Sequence, residues 1–437
     1  MGLAASERLR RWCIELDSSP TAQIWMRRAL VAYVVAVFLI RIHHAGDFAG
    51  YLAVGEHILR GEHPYRSAGA FNTWPPFFNL LCVPLALLAR PTAYVARALW
   101  FVLNFACVWW ILRLCAMLVY NRRLTWAPGQ GLAVSSPWIF VPLLLSERYV
   151  SSNFDHVQIN LILFALVLAG LTAQREGRWL NGGLLVGLAA AIKLMPVTFV
   201  AYFAWRRRWA AFWSSLVAFL GLSFSPALVF GWGRFWDYVI AWHERVAGGW
   251  GVGRLNQSVW AMWDRWLGHG MVPLLTPGAH DIASSGSPVV TVAVFLTLVS
   301  FGLAFWRRAR VANPGCWQQV AEWSVVFLAT AVFSPVTWKA YLAVSVLPAM
   351  LLFAAWWHAP ISSSARRGAS LGLVAAALPN LLSPGFLGRN LAGRLEMACV
   401  PTVFALLLVA ALIWLLPYLP ALEAEAKRKR AAEEAEA

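Results

Sequence analysis

The chain has 437 residues, of which 60% are hydrophobic and only 13% are charged. A soluble protein of this length does not need so much apolar surface, and apolar runs long enough to cross a bilayer recur along the whole sequence. The formal net charge of +16 does not indicate nucleic-acid binding, because most lysines and arginines form short clusters between apolar runs. Such clusters are typical of the cytoplasmic loops of membrane proteins. The composition therefore predicts an all-α polytopic membrane protein that binds membrane lipids and no nucleic acid.

The predicted elements begin with a basic N-terminal segment and the apolar run ALVAYVVAVFLI, with no small-residue cleavage site after it. This pattern predicts an uncleaved signal anchor with a cytoplasmic N-terminus. Residues 1–419 are predicted to form a single domain with about 10 to 13 membrane helices. Residues 420–437 are predicted to form a charged, solvated, helical tail in the cytoplasm. The candidate helices are 29–44, 76–89, 95–119, 132–146, 157–173, 181–204, 209–229, 288–306, 318–334, 340–357, 368–384 and 398–418.

The candidate helix 181–204 contains the stretch AIKLMPV and has arginines on both flanks. A proline removes one backbone donor and clashes with the preceding turn, so Pro196 can break the helix. The segment either crosses the membrane or forms two half-helices that meet at Lys193–Pro196 and return to the cytoplasmic side. We favour the second hypothesis. Reporter fusions after Gln174 and after Arg208 would contradict it by reporting opposite sides of the membrane.

Polar residues concentrate in segments that the basic clusters place outside the cell, namely the loops 45–75 and 230–287 and the stretch FSPVTWKAYL (333–342). Together these segments predict a polar cavity at the outer membrane surface. The candidate site residues in them are Asp47, Tyr51, Tyr65, Trp74, Asn256, Gln257, Arg265, Lys339 and Tyr341.

Two roles for Asp47 fit the pattern equally well. It lies about one turn beyond the first apolar run, where a carboxylate can act as a general base or cap the following helix. Lys339 either extends its ammonium group to the membrane surface or pairs with a phosphate. Arg265 is a similar cation among tryptophans, which form either an interfacial belt or a stacking surface for sugars.

Several kinds of chemistry have no support in the sequence. It contains no GxxxxGK[ST], GxGxxG or HExxH motif, and neither its acids nor its six cysteines have metal-ligand spacing. We therefore expect no metal and no cofactor. A group-transfer reaction would need a donor that arrives from the membrane or from outside the cell.

Five stretches, in this order and spacing, resemble glycosyltransferase family 87 of the GT-C superfamily. They are GDFAGYLAVGEHILRGEHPY with FNTWPPFFNLLCVPLALL, VQINLILFALVLAG, NGGLLVGLAAAIKLMP, NQSVWAMWDRWL and FSPVTWKAYLAVSVLP. The resemblance implies a GT-C-type fold and a metal-independent, inverting hexosyltransferase. Such an enzyme moves a hexose, most often mannose, from a polyprenyl-phosphate donor to a lipid or glycan acceptor at the outer face of the cell (inner) membrane.

The resemblance also implies roles for individual residues. Asp47 takes the place of the family's catalytic base, and Lys339 and Arg265 would stabilise the leaving phosphate. Asn256 and Gln257 would bind sugar or loop backbone. The other substrate-binding candidates are Tyr51, Tyr65, Trp74, Gln158, Asn160, Lys193 and Tyr341. A lipid-linked sugar flippase or a polytopic transporter is the alternative function, because such proteins also have many helices and intramembrane charges.

Overall fold

The structure is a computed structural model, which describes residues 3–67, 72–129, 131–247, 251–270, 282–311 and 314–436. The described residues form twenty α-helices, so the predicted all-α class is confirmed. They are α1 (Leu3–Ser18), α2 (Pro20–Arg41), α3 (Gly46–Leu59), α4 (Pro76–Ala89), α5 (Ala93–Tyr120), α6 (Pro137–Asp155), α7 (Asn160–Arg175), α8 (Trp179–Ile192), α9 (Val197–Trp205), α10 (Trp209–Phe224), α11 (Pro226–Phe230), α12 (Trp232–Ala247), α13 (Val259–Trp263), α14 (Pro288–Arg308), α15 (Cys316–Val332), α16 (Val346–His358), α17 (Ser364–Leu381), α18 (Pro384–Met397), α19 (Val400–Leu415) and α20 (Leu419–Glu436).

Four short elements complete the described secondary structure. A π-helix (Asp264–Gly268) follows α13, and a 3₁₀-helix (Lys339–Ser345) leads into α16. Strands β1 (Leu124–Thr125) and β2 (Leu132–Ala133) pair in parallel, with Leu124 opposite Leu132.

The described helices are long and apolar enough to cross a membrane in five places: α2, α5, α10 with α11, α14, and the 3₁₀-helix with α16. Two bent pairs, α17 with α18 at 90° and α19 with α20 at 76°, raise this number to seven. These spans confirm the predicted membrane protein. Their number is below the predicted 10 to 13, because α4, α7 and α8 are shorter apolar helices and the predicted helix 181–204 is broken.

The chain divides into two compact units. The first unit comprises residues 1–32, 115–150 and 251–437, and the second comprises residues 33–114 and 151–250. In the first unit, α16 is buried along nearly its whole length, from Val346 to Trp356. It packs against α15 and α17, as expected for a helix that is apolar on all sides.

Glycines let helices approach closely in the second unit, where α8 packs against α10. A Cβ atom at Gly183 would collide with the Ser214 hydroxyl, and one at Gly187 would lie 2.5 Å from the Ser215 carbonyl oxygen. Close backbone contact through small residues is the usual way in which membrane helices associate.

Three α-helices of the described residues form inside predicted outer loops. Helix α3 lies in loop 45–75, and α12 and α13 lie in loop 230–287. Helix α12 buries Phe235, Tyr238 and Ala241 along one side. These residues are three positions apart, the spacing of one face of a helix, although the surrounding segment is polar enough to be predicted as a loop. Residues 68–71, 248–250 and 271–281 of these loops lie outside the described residues.

The C-terminal tail is helical, as predicted, but it is not solvated on all sides. Leu422, Glu423 and Ala426 of α20 are buried. The Glu423 carboxylate accepts a hydrogen bond from the backbone nitrogen of Trp317 at 3.0 Å. The prediction of a solvated tail is therefore wrong along this side, since α20 packs on α15 and α16.

Candidate active site

Asp47 lies in the first turn of α3, in the second unit. The N-cap of this helix is Ala45, which makes no side-chain capping bond, so Asp47 is not the cap residue. Its backbone nitrogen instead donates to the carbonyl oxygen of His156 at 2.8 Å. The preceding Gly46 has a φ of 49°, and a Cβ atom there would lie 2.2 Å from that oxygen. Only glycine fits this position, because it tolerates the left-handed conformation and the close approach.

The carboxylate of Asp47 belongs to a cluster of four polar side chains, all predicted as site residues. It accepts a side-chain hydrogen bond from Gln158 and interacts electrostatically with Lys193. Asn160 connects these two partners. Its amide donates to the Gln158 side-chain oxygen at 2.5 Å, and its own oxygen accepts from the Lys193 Nζ at 2.9 Å.

Burial dominates the electrostatics of Asp47. Removal from water raises the pKa of this carboxyl from 3.8 to about 6, although Lys193 and the Gln158 hydrogen bond both act to lower it. Desolvation penalises the charged form, whereas a nearby cation and a hydrogen-bond donor favour it. A carboxylate with a pKa near 6 is mostly ionised at neutral pH and is a stronger base than ordinary aspartate, as general-base catalysis requires.

The predicted helix break brings Lys193 to this cluster. Helix α8 ends at Ile192, Lys193 has an extended backbone, and α9 begins at Val197 directly after Pro196. The break at Lys193–Pro196 is therefore confirmed. The return of both half-helices to the cytoplasmic side stays a prediction.

The aromatic candidates of the second unit are held by internal contacts. The Tyr51 ring is buried and lies edge-on to Trp74, with ring centroids 4.7 Å apart. The Tyr65 hydroxyl donates to the Trp74 carbonyl oxygen at 2.7 Å and accepts from the Asn79 amide at 2.8 Å. These contacts fix the loop that follows α3.

In the first unit, the structure joins two of the predicted outer segments. The Asn256 amide donates to the Pro335 carbonyl oxygen at 3.1 Å, and its own oxygen accepts from the Thr337 nitrogen at 3.1 Å. The backbone nitrogen of Gln257 donates to the Thr337 carbonyl oxygen at 2.7 Å. Asn256 and Gln257 thus bind loop backbone, one of the two roles implied for them.

Arg265 is completely buried, with 0% of its surface exposed. Its guanidinium donates to backbone carbonyl oxygens, those of Ala261 at 3.1 Å, Glu396 at 3.1 Å and Asn256 at 2.5 Å. A buried guanidinium requires such acceptors. A phosphate could reach Arg265 only by displacing them.

Lys339 forms part of a charge cluster that the sequence analysis missed. Its ammonium group lies 2.6 Å from the buried carboxylate of Glu396, which also binds Arg148 at 2.7 Å and Arg254 at 3.4 Å. Three cations thus surround one carboxylate. Lys339 and Arg254 keep 21% and 27% of their side chains exposed, so the cluster has excess positive charge at an accessible edge. Tyr341 lies half-buried in the same 3₁₀-helix as Lys339.

Within the described ranges, no three His, Cys, Asp or Glu side chains form a group that could hold a metal ion.

Comparison with known proteins identifies the family. The model of glycosyltransferase family 87 matches residues 72–335, which is more than half of the chain. The chain belongs to glycosyltransferase family 87. This membership confirms the predicted family and the predicted hexosyltransferase class, and it removes the support for a flippase.

Two relatives are named polyprenol-phosphate-mannose-dependent α-(1-2)-phosphatidylinositol pentamannoside mannosyltransferase. The one from Mycolicibacterium smegmatis is 32% identical over 71% of this chain and 68% of its own length. The one from Mycobacterium tuberculosis is 28% identical over 61% of this chain and 54% of its own length. Among solved structures, ArnT from Cupriavidus metallidurans bound to undecaprenyl phosphate has a TM-score of 0.38 at 14% identity. That alignment covers 92% of the family-87 chain and 78% of ArnT.

Proposed function

We propose that this family-87 enzyme transfers a mannosyl group from polyprenyl-phosphate-mannose to a lipid or glycan acceptor on the outer side of the cell (inner) membrane. The names of the relatives support the donor and the lipid acceptor. The basic clusters of the sequence support the outer side, because they are typical of cytoplasmic loops. The observation that carries the mechanism is the polar cluster around the Asp47 carboxylate.

In this mechanism Asp47 is the general base. Its carboxylate takes the proton from the acceptor hydroxyl while that oxygen attacks the anomeric carbon of the donor sugar. The bond between the anomeric carbon and the phosphate oxygen breaks, and polyprenyl phosphate leaves with the bonding electrons. Attack opposite the leaving group inverts the anomeric centre, so a β-linked donor gives an α-linked product.

Gln158 and Lys193 act as positioning residues for this base. The hydrogen bond from Gln158 orients the carboxylate, and the charge of Lys193 keeps it ionised near neutral pH. Asn160 connects the two and restricts their motion. Without these partners, burial alone would raise the pKa of Asp47 further and leave it protonated.

The leaving phosphate needs cations that act as its charge develops. Lys339 fits this role better than Arg265, because Lys339 is partly exposed in a cluster with excess positive charge, whereas Arg265 is buried and bound to carbonyl oxygens. The Glu396 carboxylate fixes the position of the Lys339 ammonium group, which would bind the leaving phosphate at the same time. Such cationic stabilisation makes a metal ion unnecessary.

The decisive experiment combines a donor screen with a base variant. Purified protein in detergent is incubated with polyprenyl-phosphate mannose, glucose or arabinose and a membrane-lipid extract, and labelled products are separated. We expect transfer from the mannose donor only. Asp47→Asn should fold and bind donor but lose about 10²- to 10⁴-fold in rate, the usual contribution of a general base.

Glu176→Gln serves as the matched control, because it neutralises an exposed carboxylate that pairs with Arg178 at the surface. It should transfer at the wild-type rate. Substantial residual transfer by Asp47→Asn would exclude the role as base. Transfer from glucose or arabinose but not from mannose would exclude the proposed donor.

A further inference from the structure

A cavity of about 550 Å³ lies entirely within the first unit. It opens between α1, the end of α5, the start of α6, the end of α16 and α20. None of its lining residues belongs to the proposed active site. The positive-inside pattern assigns both terminal helices to the cytoplasmic side.

Cationic side chains dominate the walls of this cavity. Arg10, Arg122, Lys429 and Arg430 line it, with Asp17 as the only acidic residue in the described lining. Lys429 pairs with Glu425, outside the lining, at 3.5 Å, so Arg10, Arg122 and Arg430 against Asp17 give the cavity its net positive charge.

Part of this charge remains available to a ligand. The Arg430 guanidinium donates to the carbonyl oxygens of Tyr120 and Ala426. Neither of these partners carries a negative charge, so neither neutralises the positive charge of Arg430. The Arg10 guanidinium lies 4.9 Å from the centre of the Trp357 ring. The Arg122 side chain is exposed at the rim. The cavity is therefore chemically suited to an anion with several oxygen acceptors.

The floor of the cavity is aromatic. The rings of Trp138 and Trp357 lie 4.8 Å apart, and the ring of Phe353 lies 5.4 Å from that of Trp138. Next to them, the Nδ1 atom of His358 is buried and has no hydrogen-bond partner in the described part of the chain. A ligand that combines an anionic head with an apolar body would satisfy both parts of this lining.

We propose that this cavity binds a phosphate-bearing anion, either the headgroup of an anionic phospholipid or a soluble phosphate ester. Arginine and lysine at a membrane surface attract anionic headgroups, and the aromatic floor accepts glycerol or the first methylene groups of an acyl chain. His358 Nδ1 offers a further partner for a phosphate or ester oxygen. This site is independent of the proposed transfer reaction.

The test measures binding to the full chain in neutral detergent by native mass spectrometry. The probes are a short-chain phosphatidic acid, glycerol 3-phosphate and, as the control, a short-chain phosphatidylcholine, whose zwitterionic headgroup has no net charge. The variant Arg10→Gln/Arg122→Gln/Lys429→Gln removes three cavity cations. We expect this variant to bind the anionic probe that wild type binds, phosphatidic acid or glycerol 3-phosphate, at least about tenfold more weakly, since each surface cation contributes to the attraction.

The matched control Arg206→Gln/Arg207→Gln/Arg208→Gln removes the same charge from the second unit and should bind like wild type. Binding of phosphatidic acid alone identifies a lipid site, and equal binding of glycerol 3-phosphate identifies a soluble ligand. The proposal is overturned when neither phosphatidic acid nor glycerol 3-phosphate binds, or when phosphatidylcholine binds as tightly as phosphatidic acid. It is also overturned when both triple variants weaken binding equally. Should the cavity variant fail to fold, the single change Arg122→Glu at an exposed position gives the same comparison.

Discussion

The backbone nitrogen of Asp47 donates to the carbonyl oxygen of His156 at 2.8 Å, and this bond ties the start of α3 to the segment that carries Gln158. A single residue, Val157, separates His156 from Gln158, whose side chain donates to the Asp47 carboxylate. One backbone contact therefore sets the position of the proposed base relative to its partner. The contact depends on Gly46, which lies against the same carbonyl group.

Gly46→Ala should damage transfer more than it damages folding. The new Cβ atom would lie 2.2 Å from the His156 oxygen, in a residue with a φ of 49°, so the start of α3 must move. We expect a stability loss of about 1–3 kcal/mol from the strained conformation and a large fall in kcat. Thermal unfolding and transfer assays measure the two effects.

Gly61→Ala is the control for this prediction. Gly61 also has a positive φ, 72°, but a Cβ atom there would meet nothing within 4 Å. It should lose stability from backbone strain and keep its transfer rate. Equal transfer by the Gly46 and Gly61 variants would show that the His156 contact does not position the base.

The pH dependence of transfer should report the Asp47 carboxyl. A base acts only when ionised, so kcat/KM should rise with pH and reach its half-maximum near the raised pKa of about 6. The raised pKa of Asp47 also lowers the free energy of unfolding as pH rises from 4 to 6. Over this range the folded protein retains the proton that the unfolded chain releases near pH 3.8.

Lys193→Met tests the charge that opposes this shift. Lys193 lowers the pKa of Asp47, so its removal should move the half-maximum of the kcat/KM profile to higher pH. Lys193→Arg keeps the charge and should retain the wild-type midpoint. An unchanged midpoint in Lys193→Met would show that the measured ionisation belongs to another group.

Local patterns in the sequence predicted much of this arrangement. Helix α4 has the predicted bounds, 76–89, because proline is favoured in the first turn of a helix. Pro196 marked the break that carries Lys193. Gln158 and Asn160 came from the family resemblance, and the structure places both beside Asp47.

The charge cluster in the first unit was not predictable in the same way. Glu396 binds Arg148 across 248 residues of sequence, and no local periodicity encodes a contact of that range. Its helix, α18, falls between two candidate membrane helices. The sequence offered one indication of the cluster, the single carboxylate of Glu396 near apolar segments. An ionisable residue in such a place costs free energy and is therefore usually paired with an opposite charge.

Glu396→Gln should therefore be among the most destabilising single changes in the first unit. It leaves Lys339, Arg148 and Arg254 without their shared carboxylate. Breaking a buried ion pair by removing one partner costs about 3–5 kcal/mol. Thermal unfolding in detergent should show a large drop in Tm.

Lys339→Met separates stability from catalysis in the same cluster. Glu396 would keep Arg148 and Arg254 as partners, so the loss of Tm should be smaller than in Glu396→Gln. Transfer should still fall, because the proposed phosphate ligand is gone. A Lys339→Met enzyme with wild-type kcat and KM for the donor would remove Lys339 from the reaction.

Tyr65→Phe distinguishes a structural hydroxyl from a sugar ligand. The Tyr65 hydroxyl already donates to the Trp74 carbonyl oxygen and accepts from the Asn79 amide. Removing it leaves two buried polar groups without this partner, which costs about 1–3 kcal/mol. We expect a lower Tm and an unchanged KM for the donor.

Tyr341→Phe is the comparison variant, at a half-buried position. It should raise the KM for the donor with little change in Tm. The reverse pattern would make Tyr65 the sugar ligand and Tyr341 the structural hydroxyl.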